Sequence, residues 1–208
     1  MIRCLGRCGL PFGRLTLLFV GLCLGVATRS AAQDMPVPVE VQIPLLLKIL
    51  SFDPALTTSP SDPLVVGVVF QGRNRSSSEI GAEVRGQLIA KGRSPGAGRT
   101  IRVVPIDLDA ISDIRAVLLR DSVRVLYVAP LRAVAISTVA AATRERLVRT
   151  FTGIPNYVEQ GLSVGIDVNG VRPQIVINLL ASRAEGALFS ADLLKLARIT
   201  GAETAASR

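Results

Sequence analysis

The residue types that perform most protein chemistry are scarce in this chain of 208 residues. It contains no histidine, and its three cysteines, Cys4, Cys8 and Cys23, all lie near the amino terminus. The absence of histidine excludes Ser-His-Asp triads, imidazole general bases and the commonest metal ligand. An enzyme would therefore need a carboxylate pair, a serine–lysine pair or a bound cofactor. The composition favours a protein without catalytic residues, metal or cofactor.

Asp107 and Asp109 are the acidic pair best placed for catalysis. They follow a predicted strand, and ligands of open α/β sheets bind beyond the carboxyl ends of the strands. Both are also ordinary turn and helix-cap residues, and this is the stronger interpretation. The lysines beyond the amino-terminal segment do not lie near a serine in a recognisable motif. We therefore expect no enzymatic activity, and an enzyme that uses Asp107 and Asp109 is the weakest alternative.

Three polar residues after the first predicted strand suggest a binding site for a small anionic or aromatic ligand. Asn74, Arg75 and Ser76 precede a predicted helix. The N–H groups and dipole of a helix amino terminus favour a carboxylate or phosphate. The segment lacks the glycine pattern of a dinucleotide site or a P-loop. A plain capped loop between strand and helix is the simpler alternative.

Residues 162–178 predict a β-hairpin. Asn169-Gly170 suits a two-residue type I′ turn, because both central positions of that turn need φ > 0. This turn pairs Val168 with Val171 and puts an all-apolar set of side chains on one face. Pro173 cannot donate a ladder hydrogen bond, which indicates a bulge or an edge position.

The polar face of the hairpin holds two further ligand candidates, Arg172 and Asn178. Arg172 faces Asp167 across the predicted strands, and an ion pair between them is the simpler explanation. Asn178 is better explained as the cap of a short helix that ends at Gly186.

The first 32 residues have the layout of a secretory signal peptide. Arg3, Arg7 and Arg14 precede an apolar run, and Ser30-Ala31-Ala32 offers small residues before residue 33. The run is short for a membrane span, and an uncleaved anchor in the inner membrane is the alternative. Cleavage would remove every cysteine and leave residues 33–208, enough for one well-buried domain.

The charge balance gives little support to nucleic-acid binding. The formal net charge of +8 includes four arginines among the first 32 residues. The remaining chain has 20 basic and 16 acidic residues, no run of Lys or Arg, and few aromatic residues.

Between these ends, predicted strands alternate with predicted helices. The helices span residues 36–52, 76–91, 109–119 and 131–143, and the strands span 64–70, 101–106, 123–128 and 147–151. Such alternation predicts an α/β fold, with a mostly parallel sheet between helices on both faces, a three-layer sandwich. The C-terminal hairpin extends this sheet with antiparallel strands.

The last helix, which Ser190 caps, supplies candidates for protein contact. Leu193, Leu196 and Ala197 form the stripe that packs inward, so Leu194 is a candidate for contact with a partner or with a second copy in a homodimer. Packing in the core is equally compatible with the pattern. The partner-contact candidates are Leu188, Phe189, Leu193 and Leu194.

Several of these segments together resemble the C-terminal signature of the YfiR family. They are the hairpin, Asn178-Leu179, the small helix around Ala184-Glu185-Gly186 and the helix from Ser190 to Arg198. The helix over residues 42–52 and the strand over 64–70 match the start of that domain in position and order. The resemblance covers nearly all of residues 33–208.

The resemblance implies a periplasmic α/β protein without known enzymatic activity. It implies regulation of an inner-membrane signalling protein, a diguanylate cyclase or a sensor kinase, through that protein's extracytoplasmic part. The alternative is a periplasmic module that binds a small molecule, such as an amino acid or a vitamin-like compound. Family disulfides do not carry over, because residues 33–208 contain no cysteine.

Overall fold

A computed structural model describes residues 35–57, 63–93, 98–132 and 134–201, which lie in one compact unit, Gln33–Arg208. The segment interpreted as a signal peptide, residues 1–32, is outside the described residues. The described elements are α1 (Val39–Leu50), α2 (Pro54–Thr57), β1 (Leu64–Phe70), α3 (Arg75–Lys91), β2 (Ile101–Asp107), α4 (Ile114–Arg120), β3 (Val125–Val128), α5 (Ile136–Glu145), β4 (Arg149–Thr152), α6 (Pro155–Glu159), β5 (Val164–Asn169), β6 (Arg172–Asn178), α7 (Leu179–Ala184), α8 (Ala191–Leu196) and β7 (Arg198–Thr200).

The described strands form one sheet in the order β2-β1-β3-β4-β5-β6-β7. The first five strands in this order are parallel, β6 returns antiparallel to β5, and β7 runs parallel to β6. The predicted α/β class, a mostly parallel sheet extended by a C-terminal antiparallel hairpin, is confirmed. The edge strand β7 and the short helices α2 and α6 were not predicted.

Two apolar clusters cover the two faces of the sheet. Val66 and Val68 of β1 pack with α1 and α3 on one face, whereas Val65 and Val69 pack with α4 and α5 on the other. Because successive side chains of a strand point to opposite faces, this alternation requires β1 to lie between two layers of helices. All seven residues of β1 are buried.

Two helices, α3 and α4, begin at other residues than the sequence pattern predicts, because different polar residues cap them. Asn74, and not Ser76, caps α3 by accepting a hydrogen bond from the backbone N–H of Ser77. Asp113 caps α4 by accepting from the N–H of Arg115 over 2.9 Å. The predicted start of α4 at residue 109 is therefore wrong, because the residues before Asp113 belong to the loop that follows β2.

The hairpin is present, but its register differs by two residues from the prediction. Val168 pairs with Pro173, not with Val171, and the two turn residues are Gly170 and Val171. Gly170 has a φ of 63° and Val171 has no positive φ. A positive φ at the first turn position alone is the requirement of a type II′ turn. The apolar face survives, because a shift by two residues keeps each side chain on its side.

Helices α4 to α7 end in the same hydrogen-bonded turn. At the end of α5, the N–H of Leu147 donates to the carbonyl of Arg144, and that of Val148 donates to Thr143. These two bonds form a Schellman motif, whose penultimate residue has a left-handed conformation that favours glycine. Glycine fills that position after α6 and α7, as Gly161 and Gly186. After α4 and α5 the chain instead has Ser122 and Leu147, with φ values of 52° and 51°.

Helix α8 differs from its predicted packing at its end. Ser190 caps it and Leu193 is buried, as predicted. Leu196 is 71% exposed, so its predicted inward position is wrong. The reason is that α8 has only six residues, and the chain extends into β7 directly after it. Leu194, predicted to be available to a partner, is half-buried against the cluster that contains α1.

Candidate functional site

The candidate site is a cleft at the carboxyl ends of β1 and β3. From β1 the chain crosses one sheet face to β2 and then returns across the other face to β3, so the strand order reverses there. Open α/β sheets bind ligands at such a switch point. The cleft has a volume of about 460 Å³ and is lined by Gln71, Arg73, Asn74, Arg75, Asp109 and Arg132.

Two carboxylates hold the loop between β1 and α3. Asp107 Oδ1 accepts a hydrogen bond from the N–H of Gly72, and Asp109 Oδ2 accepts from the N–H of Arg73, both over 2.8 Å. A Cβ atom at Gly72 would lie 2.4 Å from Asp107 Oδ2, so this approach requires glycine. The geometry supports the interpretation of Asp107 and Asp109 as turn residues and not as a catalytic pair.

Gln71 joins the loops that form the two sides of the cleft. Its Oε1 accepts a hydrogen bond from the backbone N–H of Arg132, and its own N–H donates to Ser77 Oγ over 2.9 Å. Through these bonds the residue that follows β1 fixes both the first turn of α3 and the loop after β3. The walls of the cleft are therefore preorganised.

The charge of the cleft is positive. It is lined by three guanidinium groups and one carboxylate. Arg75 forms an exposed ion pair with Glu79 over 2.7 Å, and this hydrogen bond raises the pKa of Arg75. Within the described ranges, no carboxylate forms an ion pair with Arg73 or Arg132. Together with the amino terminus of the 17-residue helix α3, these two residues suit a carboxylate or phosphate group.

The structure brings only some of the predicted ligand residues together. Asn74 and Arg75 line the cleft, whereas Ser76 does not. Arg172 begins β6, three strands from β3. Asn178 ends β6, at the opposite end of the strands from the cleft. The sequence pattern did not predict three lining residues, Gln71, Arg73 and Arg132. Arg132 lies beside the loop after β1 only because β1 and β3 are neighbouring strands.

The two ligand candidates of the hairpin, Arg172 and Asn178, lie in positions that the hairpin and the start of α7 determine. Asp167 pairs with Arg198 over 2.8 Å, and Arg172 lies opposite Asn169, so the expected pair of Asp167 with Arg172 is not formed. The shift in register separates them. Asn178 Oδ1 accepts a hydrogen bond from the N–H of Ala181 over 3.0 Å, which confirms its role as the cap of α7.

A second, smaller depression lies between α7 and α8, with a volume of about 140 Å³. It gathers three of the predicted partner-contact residues. Leu188 is 65% exposed, and Phe189 and Leu194 are half-buried. The fourth candidate, Leu193, is in the core and offers no surface to a partner. The remaining lining residues are Leu179, Ser182, Arg183 and Ala187.

A buried carboxyl group close to this depression was also missed. Glu185 is fully buried, and it accepts hydrogen bonds from Thr150, through both N–H and Oγ1, from Ser163 and from Thr143. Burial raises the pKa of Glu185 to about 7, although these hydrogen bonds act in the opposite direction. Among the described residues, no group of three or more Cys, Asp or Glu side chains is arranged to hold a metal ion.

The fold is an α/β domain with a preorganised basic cleft at a topological switch point. The chain belongs to the YfiR/HmsC-like family, whose model matches residues 40–198. This match confirms the resemblance seen in the sequence. Among the described residues, no helix has the length and apolar character that a membrane crossing needs.

Solved structures with the same fold share little sequence with this chain. They include an ABC domain in complex with L-Trp from Streptococcus pneumonia (13% identity, TM-score 0.52), a conserved domain protein from Vibrio cholerae (15%, 0.53) and a ligand-free, open substrate-binding protein with adhesive properties from Clostridium difficile (15%, 0.52). These matches cover 78%, 78% and 80% of this chain, which spans only 60%, 60% and 61% of the matched chains. No curated protein matches the sequence.

Proposed function

We propose that this protein is a non-enzymatic periplasmic regulator of an inner-membrane signalling protein, a diguanylate cyclase or a sensor kinase. The observation that carries the proposal is membership of the YfiR/HmsC-like family over residues 40–198. The chain has no histidine, and Asp107 and Asp109 hold a loop, which supports action by binding alone.

The regulator acts by binding one conformation of the extracytoplasmic part of its partner more tightly than the other. Such differential affinity shifts the population of the two states without any chemical step. A tenfold change in the ratio of the two states needs a difference of about 1.4 kcal/mol in binding free energy. A few apolar side chains at the centre of an interface supply this amount.

The depression between α7 and α8 is the proposed contact surface. Leu188 projects from its rim, and Phe189 and Leu194 form apolar parts of its lining. Arg183, exposed beside them, adds a positive charge that would favour an acidic residue of the partner. A second copy of this chain is the competing occupant of the same surface.

Capture of the partner from membranes tests this proposal. The tagged protein should retain a cyclase or kinase when detergent-solubilised membranes of its own host are passed over it. Leu188→Glu should abolish the capture. Leu196→Glu is the matched control, because Leu196 is 71% exposed and lies outside the depression. Equal capture by both variants, or formation of a homodimer that only Leu188→Glu disrupts, would contradict the proposed partner.

The second candidate function is the binding of a small anionic ligand, such as an amino acid or a phosphorylated vitamin, in the cleft. Arg73 and Arg132, which have no ion-pair partner among the described residues, favour it. Thermal unfolding of the protein with a panel of such compounds tests it. Arg73→Ala and Arg132→Ala should remove any stabilisation by the ligand, whereas Arg172→Ala, three strands away, should preserve it. A ligand effect that all three variants retain would place the site elsewhere.

A further inference from the structure

Two adjacent turns at the amino ends of β3 and β4 form a surface of leucine and arginine. The segment from the end of α4 to the start of β3 contributes Leu119, Arg120 and Arg124, and the segment from the end of α5 to the start of β4 contributes Arg144, Arg146 and Leu147. We call these six residues the Leu-Arg surface. All six are exposed.

The two turns lie side by side because they lead into neighbouring strands. Parallel strands are about 4.8 Å apart. The N–H of Arg149 donates to the carbonyl of Arg124 over 3.1 Å, and Arg115 of α4 pairs with Glu145 at the end of α5 over 2.8 Å. Leu119 follows Arg115 by one helical turn, which places Leu119 on the side of α4 that faces α5.

The two leucines are poorly explained by the stability of the fold. Leu119 is 60% exposed and Leu147 is 55% exposed. Leu147 also occupies the left-handed position of its Schellman motif, where the equivalent turns after α6 and α7 have glycine. A leucine there is conformationally strained, and its packing beside Gly186 leaves more than half of it exposed. An exposed apolar side chain held in a strained backbone is typical of a contact residue.

The charge of the surface is strongly positive. Its acidic neighbours are engaged, because Asp121 pairs with Arg120 and Glu145 pairs with Arg115. Within the described part of the chain, Arg124 and Arg146 have no acidic partner, whereas Arg144 donates a hydrogen bond to the carbonyl of Gly161 over 3.1 Å. Basic residues in the last turn of a helix complement its dipole, but this does not account for Arg124, which follows the turn, or for the leucines.

We propose that the Leu-Arg surface binds an anionic phospholipid bilayer. The leucines enter the boundary between headgroups and acyl chains, and the arginines contact lipid phosphates. A second copy of the chain fits less well, because it would bring arginines against arginines. A protein partner would have to supply two apolar pockets for the leucines and several carboxylates for the arginines. An anionic bilayer has an apolar interior and a negatively charged headgroup layer over its whole surface.

Co-sedimentation with lipid vesicles tests this inference. Full-length protein, purified as the cell produces it, is mixed with phosphatidylcholine vesicles that contain either no phosphatidylglycerol or 30 mol% of it (about one lipid in three). Binding is expected only to the anionic vesicles and should weaken with salt. Arg124→Gln and Arg146→Gln should each reduce the affinity about fivefold at low ionic strength.

Leu147→Gly is the most informative variant, because glycine is the residue that the local backbone favours. It should reduce the affinity for anionic vesicles while leaving the unfolding midpoint unchanged or raised. The control is Val171→Ser combined with Arg172→Gln. It removes one exposed apolar side chain and one arginine at the opposite end of the strands, and it should bind as the wild type does.

Equal vesicle binding by the wild type, Leu147→Gly and Arg146→Gln would overturn the inference. Failure of the wild type to bind anionic vesicles would also overturn it, and loss of an acidic protein partner on Arg146→Gln would then assign the surface to protein contact. The test is independent of the proposed function, because vesicles contain no signalling protein and Leu188→Glu leaves the Leu-Arg surface intact.

Discussion

Arg149 Nε donates a hydrogen bond to Asp53 Oδ2 over 3.0 Å, and both side chains are buried. The other guanidinium nitrogens of Arg149 donate to the carbonyls of Leu147 and Gly186, and Asp53 Oδ1 accepts from the N–H of Leu188. This ion pair therefore joins the residue that precedes α2, the strand β4 and the loop between α7 and α8. It therefore holds the backbone of Leu147 in the Leu-Arg surface and the backbone of Leu188 in the depression between α7 and α8.

Removal of one member of this buried pair should strongly destabilise the protein. Arg149→Met leaves the Asp53 carboxylate buried without its partner, and we expect the free energy of unfolding to fall by about 3–5 kcal/mol. Chemical denaturation monitored by circular dichroism measures the change. Arg75→Ala, which breaks the exposed pair with Glu79, is the control and should cost less than about 1 kcal/mol. Similar losses of unfolding free energy for the two variants would show that the buried pair contributes no more to stability than the exposed pair does.

The stability of the protein should fall as the pH rises through the range in which Glu185 ionises. The folded-state pKa is about 7, above the ordinary value of 4.5, so the folded state binds the proton more tightly than the unfolded state. The resulting stabilisation is complete below about pH 4.5 and is lost by pH 7 to 8, with a total of about 3 kcal/mol. Denaturation curves between pH 5 and pH 8 measure it.

Glu185→Gln should remove most of this pH dependence. The amide retains one oxygen for Thr150 and Ser163, and its NH₂ group can donate to the hydroxyls of Thr143 and Thr150. A pH dependence that persists unchanged in Glu185→Gln would mean that another group causes it.

Two glycines of α3 should respond in opposite ways to alanine. At Gly81 a Cβ atom would lie 2.9 Å from the Cβ of Phe70, so the helix must move away from β1, and Gly81→Ala should be destabilising. At Gly86 no atom lies within 4 Å, so Gly86→Ala should stabilise the helix by about 0.5–1 kcal/mol. Thermal unfolding of the two variants measures both effects. The opposite order would indicate a different rotation of α3 on the sheet.

Alanine substitutions in the hairpin turn distinguish its two registers. In the structure only Gly170 has a positive φ, so Gly170→Ala should cost about 1 kcal/mol, whereas Asn169→Ala should be nearly neutral. The type I′ turn predicted from the sequence would make both substitutions costly, since it needs a positive φ at both positions. Comparable losses of unfolding free energy for the two variants would therefore favour the register predicted from the sequence, in which Val168 pairs with Val171.

Local patterns in the sequence predicted the architecture, and long-range geometry accounts for what they missed. The β-branched run over residues 64–70 predicted β1 in full, and Asn178 and Ser190 correctly marked the starts of α7 and α8. The strand order could not be predicted, and without it Arg132 has no reason to meet Gln71. The hairpin register failed because the turn and the apolar pattern are both compatible with a shift of two residues.

The buried polar groups illustrate the same limit. In the sequence alone, Asp53 resembles a residue that ends a helix, and Arg149 resembles a charged residue of a short strand. Glu185 resembles an ordinary residue before a glycine that ends a helix. Their structural role depends on burial and on distant partners: Arg149 and Leu188, which donate hydrogen bonds to Asp53, lie 96 and 135 positions further along the chain. No pattern of neighbouring residues reports such a contact.

These separations also determine when the protein can fold during its synthesis. A growing chain that ends before Arg149 holds Asp53 without its counter-ion, and one that ends before Leu188 lacks the second of the two N–H groups that donate to Asp53 Oδ1, the first being that of Ala55. The native state becomes accessible only when nearly the whole polypeptide is available, because these contacts join residues far apart in sequence. Truncation upstream of residue 188 should consequently yield an unfolded product and not a smaller folded one.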